Sequence, residues 1–274
     1  MVDLTGPLEG LIYERKNHIA YITLDRPDRG NALHASQVEP MKAIWKEVRD
    51  DPWIRCAIIT ATGERHFCTG ADVGAVASRG GVAAGQGTLA EEVHWSPRQN
   101  SVWKPVICAV NGTVASAGLH FVVDSDIVVS VNTAKFIDTH VNVGMIGAIE
   151  NIGLAKRMPL GSALRMTLCG KAYRMPAERA YQLGLVDELT EPEDLMSTAE
   201  EIAGQICANS PRAVSLSQQA IWSSVELGYR DSLEYGWALV RLHWGHPDFL
   251  EGPKAFVEGR DPIWYTGEED ANDE

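Results

Sequence analysis

Apolar runs of about five residues, bounded by turn residues, alternate with segments of helical spacing through the first two-thirds of the chain. Leu11–Arg15 and His18–Leu24 alternate apolar and polar positions around Lys16-Asn17, which predicts a β-hairpin feeding the core. Between Ser36 and Asp50, Val38, Met41, Ile44, Trp45 and Val48 recur at helical spacing, with Pro40 in the first turns, where proline is tolerated. Ile54–Thr60 reads as the next strand. In the stretch Val106–Ile127, an apolar run (Val106–Val110) predicts a buried strand, Asn111-Gly112 a turn and Leu119–Val123 a helix; Ile127–Val131 then starts another strand. Ile152–Met158 and Ser162–Leu168 read as helices about Pro159-Leu160-Gly161. Pro176 opens a further helix, Ala177–Leu183, closed by Gly184, with Leu185–Leu189 a strand. From Glu191 the pattern is helical, over Asp194–Asn209, Pro211–Leu227 and Ser232–His243, and this shift marks a second, all-helical segment.

Composition narrows the class. With 274 residues and 45% apolar content the chain has the material for one large domain or a core with an appendage. No apolar run approaches the ~20 residues of a membrane helix, and MVDLTGPLEG lacks the basic and apolar blocks of a signal peptide, so a cytoplasmic location is expected. Cys56, Cys68, Cys108, Cys169 and Cys207 are odd in number and scattered, suggesting reduced, mostly buried thiols and neither a disulfide framework nor a metal site. A formal charge of −13 argues against nucleic acid and anionic membranes as partners, since phosphate binding needs clustered Lys and Arg. Part of that excess lies in an acidic end, 267–274, expected to be disordered.

Candidate chemistry begins at Ala115-Ser116-Ala117-Gly118. Small residues opening a helix leave backbone N–H groups free at its positive end, a candidate site for a developing oxyanion; close helix–sheet packing accounts for the same residues equally well. Phe67-Cys68-Thr69-Gly70-Ala71-Asp72, read with Ala109-Val110-Asn111-Gly112 and Asp126, resembles the enoyl-CoA hydratase/isomerase, or crotonase, superfamily. Leu168-Cys169-Gly170-Lys171 followed by Ala177-Glu178-Arg179-Ala180 and Gly184-Leu185-Val186 is similar to the family's next segment. Glu251-Gly252, Ala255-Phe256 and Glu258-Gly259-Arg260 resemble its C-terminal signature, and the likeness runs from about residue 10 to 265.

The resemblance implies an α/β fold: a crotonase-like spiral of ββα units over 1–195 holding the CoA and active sites, a C-terminal helical trimerisation region over 196–266, and the acidic tail at 267–274. It implies an enzyme acting on an acyl-CoA thioester through an enolate held in an oxyanion hole, assembled as a homotrimer or homohexamer. No separate cofactor is expected, coenzyme A being part of the substrate. The oxyanion donors map onto the amides of Ala71 and Ala117, the second at a position where the family commonly has glycine. CoA contacts map onto Arg29, Ala32, Asp72 and Val73, with Lys254 and Arg260 as phosphate contacts in trans. Against the overall negative charge an anionic CoA ester needs a local basic patch, for which Arg26 and Arg29 lie nearest in sequence. The Gly- and Ala-rich stretch 74–101 reads as a lid beside the site or a variable insertion. His94 and Trp95 within it read as a surface pair or as lining of the acyl pocket.

The positions of the two glutamates that hold water in the family's hydratases fall on His120 and His140. Neutral imidazole, with an ordinary pKa near ~6.5, keeps acid–base chemistry available while removing two negative charges from beside the substrate. Histidines flanked by carboxylates resemble the family's C–C hydrolases, which cleave β-diketones by a retro-Claisen route. Asp138 and Glu150 are the carboxylates nearest in sequence, and Glu150 is expected as a third catalytic or orienting group. Three readings stay open: enoyl-CoA hydratase/isomerase chemistry, C–C bond hydrolysis of a β-diketone, and an acyl-CoA-binding protein without turnover.

Overall fold

A computed structural model describes residues 2–72, 74 and 87–265. Val73, all but the first residue of 74–86, and the acidic end at 267–274 lie outside the described residues, with the expectations attached to them.

The chain opens with the expected hairpin, β1 (Leu11–Lys16) and β2 (Ile19–Leu24), paired antiparallel from Leu11↔Leu24 to Lys16↔Ile19. Helix α1 (Val38–Asp50) follows a 3-10 turn, Ala35–Gln37, and buries Met41, Ile44, Trp45 and Val48. From here a pattern repeats. A strand of a large sheet is followed at once by a short strand of a smaller sheet: β3 (Cys56–Ala61) by β4 (His66–Cys68), then, past the short helix α2 (Leu89–Glu92), β5 (Val106–Val110) by β6 (Thr113–Ala115). Helix α3 (Leu119–Asp124) carries the chain into the next such pair, β7 (Ile127–Val131) and β8 (Lys135–Ile137). Helices α4 (Ile149–Arg157) and α5 (Leu160–Cys169) then lead to β9 (Met175–Pro176), α6 (Ala177–Gln182) and β10 (Glu188–Thr190).

The large sheet has the order β1-β2-β3-β5-β7-β10 and the small one β4-β6-β8-β9. Apart from the antiparallel pairs β1–β2 and β8–β9, every ladder is parallel. Each turn of the chain thus adds one strand to each sheet, which is a spiral. Parallel strands covered on both faces need continuous apolar runs, and all five residues of β5 (VICAV) are buried. Trp45, Phe67, Phe121 and Phe136 are the largest fully buried side chains, and Phe67 meets Phe121 edge to face at 6.0 Å between centroids.

Four helices close the chain: α7 (Leu195–Cys207), α8 (Pro211–Ser223), α9 (Tyr229–His243) and α10 (Asp248–Glu258). Helix α7 turns Leu195, Ala199, Ala203 and Cys207 inward. The last two leave large apolar side chains in solvent, among them Leu233, Trp237, Val240, Leu250 and Phe256. Phe256 is 87% exposed. Trp53 is also partly exposed, resting on the His18 ring, and Cys169 is the exception among the buried thiols.

The expected strand Leu185–Leu189 starts later, at Glu188. The amides of Leu185 and Val186 turn back to the Ala180 carbonyl and so finish the preceding helix instead of pairing in a ladder. Their apolar side chains are buried by that turn, which is why periodicity alone assigned them to a strand.

Helix α8 is tied to the spiral through Asp126. Its buried carboxylate accepts from the Val106 amide (2.8 Å), Gln218 Nε2 (2.7 Å) and Trp222 Nε1 (2.7 Å). Burial raises its pKa, and these bonds pull it partly back. Replacing Asp126 with Ala would leave three donors without their acceptor, at about 1–3 kcal/mol for each that stays buried. We expect Asp126→Ala to lose about 3 kcal/mol of stability, read as a lower urea midpoint; an unchanged midpoint would show that the tie is dispensable.

Candidate active site

The spiral brings three loops to one place. Leu33 forms an isolated parallel bridge with Ala71: the Leu33 amide donates to Gly70 O (2.8 Å) and the Asp72 amide to Leu33 O (2.9 Å). In such a bridge the central residue's own N–H faces away from its partner, so the Ala71 amide is directed to the opposite side. There stands the 3-10 turn Ser116–Gly118 at the start of α3, whose leading amides have no acceptor within the helix. Gly70, at φ +91°, makes the approach feasible: a Cβ on it would stand 3.0 Å from Ala115 O and 3.2 Å from Ala117 N. Ala71 and Ala117 therefore flank one contact between successive turns of the spiral.

The third loop follows β8. Ser116 Oγ bonds Thr139 Oγ1 (2.7 Å) and accepts from the Thr139 amide (3.0 Å), fastening the 3-10 turn to the segment that carries Asp138 and His140. Asp138 is fully buried, and its Oδ1 lies 2.7 Å from His140 Nδ1 and accepts from the His140 amide (3.0 Å). Its other oxygen accepts from Asn151 Nδ2 (2.7 Å), itself 2.6 Å from Thr167 Oγ1. Gly147 leaves room for this cluster, because a Cβ there would lie 2.7 Å from Asp138 Oδ2 and 3.1 Å from His140 Nδ1.

Glu150, on the first turn of α4, sits between the two histidines. Its Oε1 is 3.2 Å from His140 Nε2 and its Oε2 is 3.6 Å from His120 Nε2. Glu150 is 4% exposed and His120 5%. Behind His120, Nδ1 is 2.9 Å from Gln99 Nε2. The structure thus brings His120, His140 and Glu150 together and adds three polar neighbours. Asp138 had been noted only for its nearness in sequence; Asn151 and Gln99 had carried no signal, because an amide at helical or loop spacing looks like any surface residue.

Electrostatics divides the cluster. Burial, with the neighbouring His140, pushes the His120 pKa down to about 4. For His140 burial acts downward too, but the bond to Asp138 and the charges of Glu150 and Asp138 outweigh it, and the shift is upward. Burial raises Glu150. Burial also acts to raise Asp138, but bonds from the His140 ring and amide and from Asn151 prevail, holding it below the ordinary carboxylate value. A proton held by either His140 Nε2 or Glu150 Oε1 has only 3.2 Å to cross to reach the other. Among the described residues, no group of His, Cys, Asp and Glu side chains is placed to hold a metal ion.

Of the expected CoA residues, Arg29 and Ala32 lie on the loop after β2 and Asp72 just beyond β4. Ala32 and Asp72 are joined through Arg26, whose guanidinium donates to Ala32 O (2.6 Å) and pairs with Asp72 (3.1 Å). Arg29 is exposed at the end of the 3-10 turn Pro27–Arg29. Lys254 is exposed on α10. Arg260 is held by Glu251 (2.6 Å) and Glu258 (2.7 Å), so a phosphate would meet a guanidinium already engaged by two carboxylates. His94 Nε2 turns to Glu91 O at 2.5 Å, while Trp95 packs against the core and its carbonyl accepts from Trp45 Nε1 (2.8 Å).

Spiral, facing turns and helical C-terminus are those of a crotonase-fold protein. The chain belongs to the enoyl-CoA hydratase/isomerase family, whose model matches residues 14–267. A relative from Thauera aromatica, (E)-benzylidenesuccinyl-CoA hydratase, is 34% identical over 256 residues, which is 92% of this chain and 97% of that protein. Carnitinyl-CoA dehydratase from Escherichia coli O157:H7 is 32% identical over 265 residues, or 93% and 98% of the two chains. The crystal structure of an enoyl-CoA hydratase/isomerase from Mycobacterium paratuberculosis superposes with a TM-score of 0.88 at 34% identity, covering 95% of this chain and 100% of that one. Among the described residues no helix is long and apolar enough to cross a membrane.

The upward shift of His140 depends on an anionic acceptor behind the ring. In Asp138→Asn that charge and its bond are gone while Glu150 still acts upward, so the His140 pKa is expected to fall from its raised position. A pH titration of the His140 ring by NMR reads this directly; a pKa unmoved in the variant would show that Asp138 is not a cause.

Proposed function

We propose that this protein catalyses the reversible addition of water to an enoyl-CoA thioester, with His140 and Glu150 carrying the proton that the family's paired glutamates carry. The observation behind this reading is the approach of His140 Nε2 to Glu150 Oε1 at 3.2 Å, with Asp138 at 2.7 Å on the far side of the ring. Water adds its oxygen to the β-carbon and gives up a proton to the His140–Glu150 pair. The electron pair of the double bond moves toward the thioester carbonyl, and the enolate oxygen is held by the amides of Ala71 and Ala117. The α-carbon then takes a proton and the double bond is consumed. Two backbone donors aimed at that oxygen stabilise the enolate, each worth about 3–4 kcal/mol in comparable sites.

Coenzyme A is held, on this reading, by Arg29 and Ala32 after β2 and by Asp72 beyond β4, with Val73, outside the described residues, assigned to the same role and Lys254 and Arg260 of a neighbouring copy as candidate contacts. What supports the placement is the bridge between Leu33 and Ala71, by which the loop of Arg29 and Ala32 adjoins the segment carrying the Ala71 amide. The apolar side chains that α9 and α10 leave in solvent support a homotrimer or a pair of trimers, which would cover them.

A second reading rests on the Asp138–His140 pair. A carboxylate-backed imidazole suits activation of water against a ketone, after which the C–C bond breaks, its electron pair leaves as an enolate and a proton quenches the carbanion. The two readings part in one assay set. Under hydration, crotonyl-CoA absorbance falls on mixing, and His140→Ala or Glu150→Gln slows the decay about 10²–10⁴-fold. Under C–C hydrolysis, a 1,3-diketone is consumed with release of a carboxylate while crotonyl-CoA is untouched. A CoA ester that raises Tm with neither reaction would leave binding without turnover, and undiminished hydration in His140→Ala would refute the assignment of the proton pair.

A further inference from the structure

His120 and His140 both direct Nε2 at Glu150, yet the groups behind them are of opposite kind. His140 Nδ1 faces a carboxylate, which only accepts, so that nitrogen carries a hydrogen. His120 Nδ1 faces the side-chain amide of Gln99, and which end of that amide it meets is decided elsewhere. Gln99 Oε1 accepts from the Trp95 amide (2.9 Å) and the Ser96 amide (3.1 Å). Turned over, the NH2 group would confront two N–H donors, so the oxygen is fixed there and Nε2 must face the ring. His120 Nδ1 is therefore an acceptor without a hydrogen. A neutral imidazole in that state carries its hydrogen on Nε2.

We infer that Gln99 is a positioning residue that locks His120 as the neutral Nε2–H tautomer, making it a fixed hydrogen-bond donor in the site, while Asp138 sets His140 as the group that gains and loses a proton. Two histidines that stand where the family's hydratases have two like carboxylates thus have unlike roles. The Nε2–H of His120 is 3.6 Å from Glu150 Oε2, too far for a hydrogen bond, and so remains available to an acceptor oxygen of the substrate or to water. The low pKa of His120 agrees with a ring that stays neutral. The charged or titratable groups facing it are Glu150 from α4 and His140 from the loop after β8, and Gln99 supplies a neutral dipole from the third side.

This inference rests on the catalytic reading of the cluster, but its first measurement needs no substrate. In 15N-histidine-labelled full-length protein near neutral pH, the His120 signals, identified by their loss in His120→Asn, should show a protonated Nε2 and an unprotonated Nδ1. The reverse pattern, or a charged ring, would overturn the proposal. Gln99→Glu puts an acceptor where the donor was and should move the hydrogen to Nδ1. Gln99→Met, which keeps the bulk and removes the dipole, should leave a mixture of tautomers and gives a second reading if the glutamate variant does not fold.

Turnover of whichever substrate the assays above identify should fall about 10²-fold in Gln99→Glu, chiefly in kcat. Recovery is expected as acid protonates the new carboxylate and restores a donor, a pH profile that a merely structural glutamine would not produce. A flipped tautomer with full activity would overturn the donor role. If the wild-type protein turned over neither substrate, the proposed reaction would fail, while the tautomer spectrum would still decide the lock.

Discussion

Burying Glu150 is the constraint on which the site depends. A carboxylate withdrawn from water costs several kcal/mol unless it is paired or takes up a proton, and Glu150 is almost wholly enclosed between two imidazoles. Its charge is tolerated because His140 can hold the compensating proton, and His140 can do so because Asp138 stands behind it. Asp138 in turn is kept ionised by the His140 amide and by Asn151, which is anchored to Thr167 on α5. Each group thus makes the next one's protonation state affordable, and the chain ends on a backbone amide and a helix.

The spiral supplies the rigidity this needs. The Ala71 segment is held by its bridge to Leu33, the 3-10 turn bearing Ala117 is fastened to Thr139 through Ser116, and α3 continues from that turn to His120. At two places where the loops meet, Gly70 against Ala117 and Gly147 against Asp138 and His140, a Cβ would stand 3.2 Å from Ala117 N and 2.7 Å from Asp138 Oδ2. The Ala71 and Ala117 segments and the His140–Glu150 pair consequently share a single scaffold. Placement of that kind is what lets fixed dipoles act on a developing charge without reorganising.

Two histidines in one cluster do not leave it without a carboxylate. Glu150 reaches the space between them from the following helix, and Asp138 comes from the strand end just before. Acidic groups thereby stand next to both imidazoles. Its relatives include hydratases and a dehydratase of CoA esters that match nearly the whole chain. A likeness of scaffold does not carry a reaction with it, and in this chain two identical side chains have unlike surroundings.

Much of this could be read along the chain. Hairpin, buried parallel strands, amphipathic α1 and the helical C-terminus follow from periodicity, because burial on one face or on both imposes its own repeat of apolar residues. Motifs about Gly70-Ala71 and Ala117 marked the facing turns, and His120 and His140 stood out as departures from a known pattern. What the linear order could not decide was who stands behind each ring. Gln99 lies 21 positions from its histidine, and its orientation is fixed by two amides of its own loop. Asn151 likewise reaches Asp138 from a separate helix. Local propensity and spacing determine which element a residue joins; a proton's location is set by short-range hydrogen bonds between segments distant in sequence, and those exist only once the spiral has closed.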